Sequence, residues 1–193
     1  MTRPLIIALL SLLFLQCGES KDPYSIETGR VGLIDRDVRI GQIDSIFAQD
    51  SVVGLSPTTA ALGTVGEVEI YEKGGSKLLL VSPEDDRDPN ARITNIQVFD
   101  SRYLTDKGLS TASTFADVKA NYAIASIENA INSVVVFLAD SDIYLTIDKK
   151  ELPEELRYNY NARIEATQIP DEATIKYFMI GWDHSEDDNS TDQ

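Results

Sequence analysis

"VRIGQIDSIFAQDSVV", residues 38–53, and "STFADVKANYAIASI", residues 113–127, superpose without gaps at an offset of 75. Ile40, Ile43 and Phe47 fall over Phe115, Val118 and Tyr122, an i, i+3, i+7 spacing that marks one face of a short helix. Ser113 or Thr114, with Asp117 close behind, reads as an N-cap and an acidic first turn. Gly41 weakens the first copy by about 1 kcal/mol relative to alanine. Helices of about ten residues do not persist alone in water, so both must rest on other parts of the chain.

The support follows each helix. "GEVEIYEKGGSKLLLVSPE" (66–84) and "SVVVFLADSDIYLTID" (133–148) both read as antiparallel hairpins, turning at Gly74–Gly75 and at Asp140–Asp142. Val68, Ile70, Leu78 and Leu80 alternate with other residues in the first. Val134, Val136, Leu138, Ile143, Leu145 and Ile147 do so in the second. A third strand carries Ile93, Ile96 and Val98 in one copy and Ile175, Tyr177 and Met179 in the other. The expected fold class is therefore α+β: two tandem helix-strand-strand-strand halves forming an antiparallel sheet, with two helices packed on one face. Each half alone would be marginal, so residues 26–183 are expected to make one globular domain. Between the second hairpin and the third strand that follows it, "KKELPEELRYNYNARIEATQIPDEA" is long for a connection, and Pro153 before Glu154 and Glu155 opens one helical turn.

The N-terminus carries an address. Arg3 precedes an uncharged apolar run from Leu5 to Leu15, the anatomy of a secretory signal peptide. Eleven apolar residues fall short of the ~18–20 that span a hydrocarbon core. The run ends in "LLFLQC" and Gly18, which resembles the lipobox of bacterial lipoproteins. That resemblance implies a leader at residues 1–16, cleavage between Gln16 and Cys17, and acyl chains on Cys17, with residues 17–25 as a polar tether. One acyl chain holds a membrane marginally and two or more hold it firmly, so a triacylated cysteine suffices. Gly18, where aspartate would retain such a protein in the inner membrane, favours the outer membrane; the protein is expected to face the periplasm, with the cell surface as the alternative. Cys17 is the only cysteine, so no internal disulfide forms and packing must supply the stability.

A formal charge of −15, from 32 acidic and 17 basic residues, argues against nucleic acid as a partner. The expected partners are the membrane, through the anchor, and a protein of the envelope. The acidic end "DHSEDDNSTDQ" has no apolar residue after Trp182 and reads as a disordered tail over 184–193.

Residues able to do chemistry are few. His184 is the sole histidine and falls in that tail, which leaves no Ser-His-Asp or Cys-His device and too few ligands for zinc or copper. In "PEDDRDPNAR", Asp86, Asp88 and Asn90 match the first three positions of a calcium loop. Ala91 and Gln97 stand where that loop needs glycine and glutamate, so a solvated acidic connection is the plainer reading. No cofactor is implied. Tyr158, Tyr160, Tyr177, Phe178 and Trp182 are candidates either for a binding surface or for the core.

"RITNIQVFDSRYLTDKGLSTASTFADVKANY" (92–122), preceded by "RVGLI" (30–34) and closed by "IPDEATIKYFMIGW" (169–182), is similar to a family of bacterial lipoproteins of unknown function. One branch of it is described as sigma-E-regulated lipoprotein. The doubled helix-plus-strands plan also resembles β-lactamase-inhibitor-like folds, a likeness of architecture only. The function expected is a lipid-anchored, non-enzymatic binding or envelope-maintenance protein. The alternatives are a module that grips an exported enzyme and a hydrolase working through carboxylates alone.

Overall fold

The structure, a computed structural model, describes residues 22–54, 66–159 and 161–184. Near the start, β1 (Ser25–Glu27), β2 (Arg30–Val31) and β3 (Ile34–Asp35) form a small meander. A 3-10 turn over Ile40–Gln42 runs into α1 (Ile43–Ile46) and then β4 (Ser51–Gly54). β5 (Val68–Tyr71), β6 (Lys77–Pro83), β7 (Ile93–Val98) and β8 (Leu104–Thr105) follow. After α2 (Phe115–Asn121) come β9 (Ile124–Asn129), β10 (Ser133–Leu138) and β11 (Ile143–Asp148). A single turn, α3 (Glu154–Arg157), precedes β12 (Tyr177–Gly181).

Eight strands form one antiparallel sheet in the order β4-β5-β6-β7-β12-β11-β10-β9, and β3-β2-β1-β8 form a second, smaller one. β8 joins β1 in parallel, with Ile26 opposite Thr105. One row crosses the large sheet in register: Val52, Ile70, Leu79, Val98, Phe178, Leu145, Val136 and Ile127. Its six central members are buried and share one core with Ile26, Val31 and Ile34 of the small sheet and with Ile43, Phe47, Phe115 and Val118 of the helices. Burying each such side chain is worth about 1.5–3 kcal/mol before ordering costs.

The expected α+β arrangement is not the fold. The chain is mostly β, in two sheets with only short helices. Three physical reasons account for the difference. The first helical segment shortens to one 3-10 turn and one α-turn, and its first amides bond instead to the β6–β7 connection, Ile40 to the Ala91 carbonyl at 3.0 Å and Gly41 to the Pro89 carbonyl at 2.9 Å. β4 and β9 lengthen each half beyond three strands. The third reason is the small sheet, built from strands of two or three residues, too short for alternation to register. It supplies much of the second layer in place of helix.

The facing of two strands is also corrected. In β6 the core takes Leu79 and Val81 together with the expected Leu78 but not Leu80, and in β12 it takes Phe178 and Ile180, not Tyr177 and Met179. A shift of one residue exchanges the two faces of a strand. "LLLV" and "YFMIGW" are apolar at both parities, so alternation does not choose between them.

α2 begins as its sequence implies. Asp117 Oδ2 accepts from the Thr114 amide at 2.7 Å and the Thr114 hydroxyl at 3.0 Å. Those bonds hold the Asp117 carboxyl below its ordinary range, the amide first.

Candidate interaction surface

The large sheet keeps a second row in register on the face away from the core: Val53, Glu69, Leu80, Gln97, Met179, Tyr144, Phe137 and Ser126. None of them is buried. The row divides by chemistry. Toward β4 it mixes Val53 and Leu80 with Glu69 and Gln97, and Glu69 accepts from Lys77 at 2.5 Å and from Tyr71 at 2.7 Å. Toward β9 it is apolar and aromatic, with Phe137, Tyr144 and Met179, joined by Val135 and Tyr177 on either side of Thr146.

The aromatic half is fixed in place. Tyr144 stacks on Phe137 with centroids 5.6 Å apart, and its hydroxyl donates to Asn95 Oδ1 at 2.8 Å across the intervening strand. That crossing passes over Gly181, where an added Cβ would stand 3.2 Å from the Tyr144 ring. Burial pushes the Tyr144 hydroxyl pKa up, so the phenol stays protonated and donating. Rigid aromatic side chains lose little entropy on binding and make good anchors.

A cleft of about 300 Å³ opens between the two sheets, where Ile26 to Thr28, Thr105 to Lys107 and Tyr122 meet the turn at Asp140–Asp142. Asp142 Oδ2 accepts from the Gly29 amide at 3.0 Å, which ties the small sheet to that turn. Lys107 donates to the Asn121 carbonyl at 3.0 Å and lies 4.4 Å over the Tyr122 ring. Burial raises the Tyr122 pKa. Among the described residues, every carboxylate whose ionisation is clearly displaced, Glu69, Asp100, Asp117 and Asp148, is displaced downward. A general acid needs the opposite direction.

Gln16 and Cys17 lie outside the described residues, as do Tyr160 and residues 185–193. Asp86, Asp88 and Asn90 stand on the exposed connection from β6 to β7. Asp88 Oδ1 accepts from the Asn90 amide at 2.8 Å, which spends it on a local turn. Among the described residues no group of three or more His, Cys, Asp or Glu side chains is arranged to hold a metal ion. His184 is corrected: it is buried, with Nε2 2.9 Å from the Ile93 carbonyl oxygen, so the folded body extends through it. Its neighbours in sequence are acidic and polar, and nothing in that pattern marks a buried position. Phe178 and Trp182 belong to the core, whereas Tyr158 and Tyr177 are exposed.

No protein-family model matches the chain, and no curated protein matches it. Among solved structures it is similar to the crystal structure of the uncharacterized protein YfeY from Escherichia coli. The identity is 16% and the TM-score 0.51, with 82% of this chain and 98% of that one covered. At this identity the likeness is one of fold alone.

Proposed function

We propose that the chain is a lipid-anchored protein of the bacterial envelope, held through Cys17 at the outer membrane on its periplasmic side, and that it acts by binding a protein partner. The observation that carries the binding half is the rigid aromatic row of Phe137, Tyr144 and Met179 on the solvent face of the large sheet. Protein-binding patches favour such side chains over charged ones. The anchor half is supported by the charged n-region, the eleven-residue apolar run and the "LLFLQC" ending. The resemblance to the sigma-E-regulated lipoprotein family supports the anchor half as well. A second reading makes the partner an exported enzyme gripped by the same face, which its preorganisation also suits.

The test joins the two halves. Wild-type protein should incorporate labelled fatty acid and fractionate with membranes, and Cys17→Ser should do neither. A photo-crosslinking residue at Met179 should give a discrete adduct in cells that Phe137→Ser abolishes, while one at Lys119, on the helical side, gives none. Membrane retention of Cys17→Ser through a high-salt wash would remove the anchor. Equal adducts from both faces would remove the binding surface.

A further inference from the structure

The strands of the large sheet end in two sets of turns with different chemistry. One end holds the β5–β6 turn, the residues after β7, the β9–β10 turn, and the segment from β11 through α3 to β12. Four of the six exposed large apolar side chains among the described residues lie here: Phe99, Ile131, Tyr158 and Tyr177. Ile131 and Tyr158 are 73% and 74% exposed. Lys73, Lys150, Arg157 and Lys176 stand among them, with Ile131, Lys150, Arg157, Tyr158 and Lys176 around one shallow depression.

The opposite end is acidic. Glu84, Asp85, Asp86 and Asp88 on the β6–β7 connection and Asp140 on the β10–β11 turn are all exposed. At the apolar end the acids are matched: Arg102 binds Asp100 at 2.8 Å and Glu72 at 2.9 Å, and Lys176 binds Asp148 at 3.0 Å. Glu151, Glu154 and Glu155 offset the remaining cations there. That end is near charge balance, whereas on the β6–β7 connection at the other end the acids outnumber Arg87 and Arg92.

The described chain also starts at the apolar end. Asp22 Oδ1 accepts from the Tyr24 amide at 2.9 Å, Arg102 lies 4.5 Å over the Tyr24 ring, and Arg102 reaches Glu72 on the β5–β6 turn. Cys17 is five residues before Asp22, a reach of at most ~18 Å at full extension. The six-residue strands separate the two ends by roughly 20 Å, before the loops are counted.

From this geometry we infer that the end bearing Phe99, Ile131, Tyr158 and Tyr177 rests on the phospholipid surface in which Cys17 is anchored, with the acidic end held away from it. The inference rests on the anchor reading above and adds an orientation. Aromatic and aliphatic side chains mixed with lysine and arginine suit the headgroup boundary, and anionic headgroups repel the opposite end. The aromatic row of the sheet then stands upright, open to a partner from the side.

The test uses the full chain, lipidated in cells and reconstituted in phosphatidylcholine vesicles with or without phosphatidylglycerol. With the Cys17 sulfur acylated, Ile131→Cys, Tyr158→Cys, Asp86→Cys and Asp140→Cys each offer a single thiol for an environment-sensitive fluorophore. Brominated lipid should quench the probe at positions 131 and 158 and leave 86 and 140 bright, more strongly with phosphatidylglycerol present. Protein that carries fatty acid yet is quenched equally at both ends, or more at 86 and 140, overturns the orientation while the anchor stands. Protein that carries no fatty acid removes the anchor, and the orientation with it.

Discussion

Gly32 is where a single methyl group decides most. It lies in the tight turn between β2 and β3 at φ +56°, and a Cβ there would stand 2.3 Å from the Pro23 carbonyl oxygen and 3.1 Å from the Tyr103 ring. The Tyr103 ring has little room to yield, because it is itself buried and packs edge-on against Tyr24. Gly32→Ala should therefore lower stability by more than about 1 kcal/mol, from strain and overpacking together. Gly54 has ordinary backbone and open space around the same atom, so Gly54→Ala should be nearly silent. Urea midpoints of the two variants make the comparison. Equal midpoints would mean that Pro23 does not pack against this turn.

At the scale of elements, the two aligned helical segments make a paired prediction. Ile43 and Val118 are fully buried while Asp44 is exposed. Ile43→Asp and Val118→Asp should each cost about 3–5 kcal/mol by burying an unpaired charge, and Asp44→Ala should change little. Thermal melts read all three, and a mild effect at Val118 would mean that α2 is not docked on the core. This was also the most legible part of the sequence. The spacing of Phe115, Val118 and Tyr122 and the Thr114–Asp117 cap were readable because helix periodicity and capping are local properties. The two hairpins were legible through their Gly-Gly and Asp-rich turns. What escaped reading was set by distant contacts. The facing of β6 and β12 depends on which side the core lies, not on their composition. The small sheet has too few residues per strand to leave a pattern. The aromatic surface hides in the same ambiguity, since Tyr177 and Met179 alternate with Phe178 and Ile180 in one apolar run.

For the whole molecule, acidity is the informative variable. Lys77 hydrogen-bonds Glu69, Arg102 holds Asp100, the Thr114 amide binds Asp117, and the Lys150 amide with the Lys176 side chain binds Asp148. Each carboxyl is thereby held below its ordinary pKa. A carboxyl lowered in the folded state contributes stability that is complete above its unfolded pKa and is lost as pH falls through the folded one. Stability should hold from neutral pH down to about 5 and decline below about 4, where unfolded carboxylates take up protons first. Chemical denaturation across that interval checks it, and a midpoint that rises on acidification would reverse the sign.

The place of β12 sets a timetable. It lies between β7 and β11, and Phe178 meets Val98 across eighty positions of sequence. Until Tyr177–Gly181 have been synthesised, β7 and β11 each lack the neighbour that closes one of their sides, and the strands divide into two unjoined sets of four and three. Synthesis from the N-terminus therefore cannot be matched by progressive zippering of the sheet. The nascent chain waits, with two interior strands still serving as edges, for a keystone that the ribosome delivers after all the other strands described.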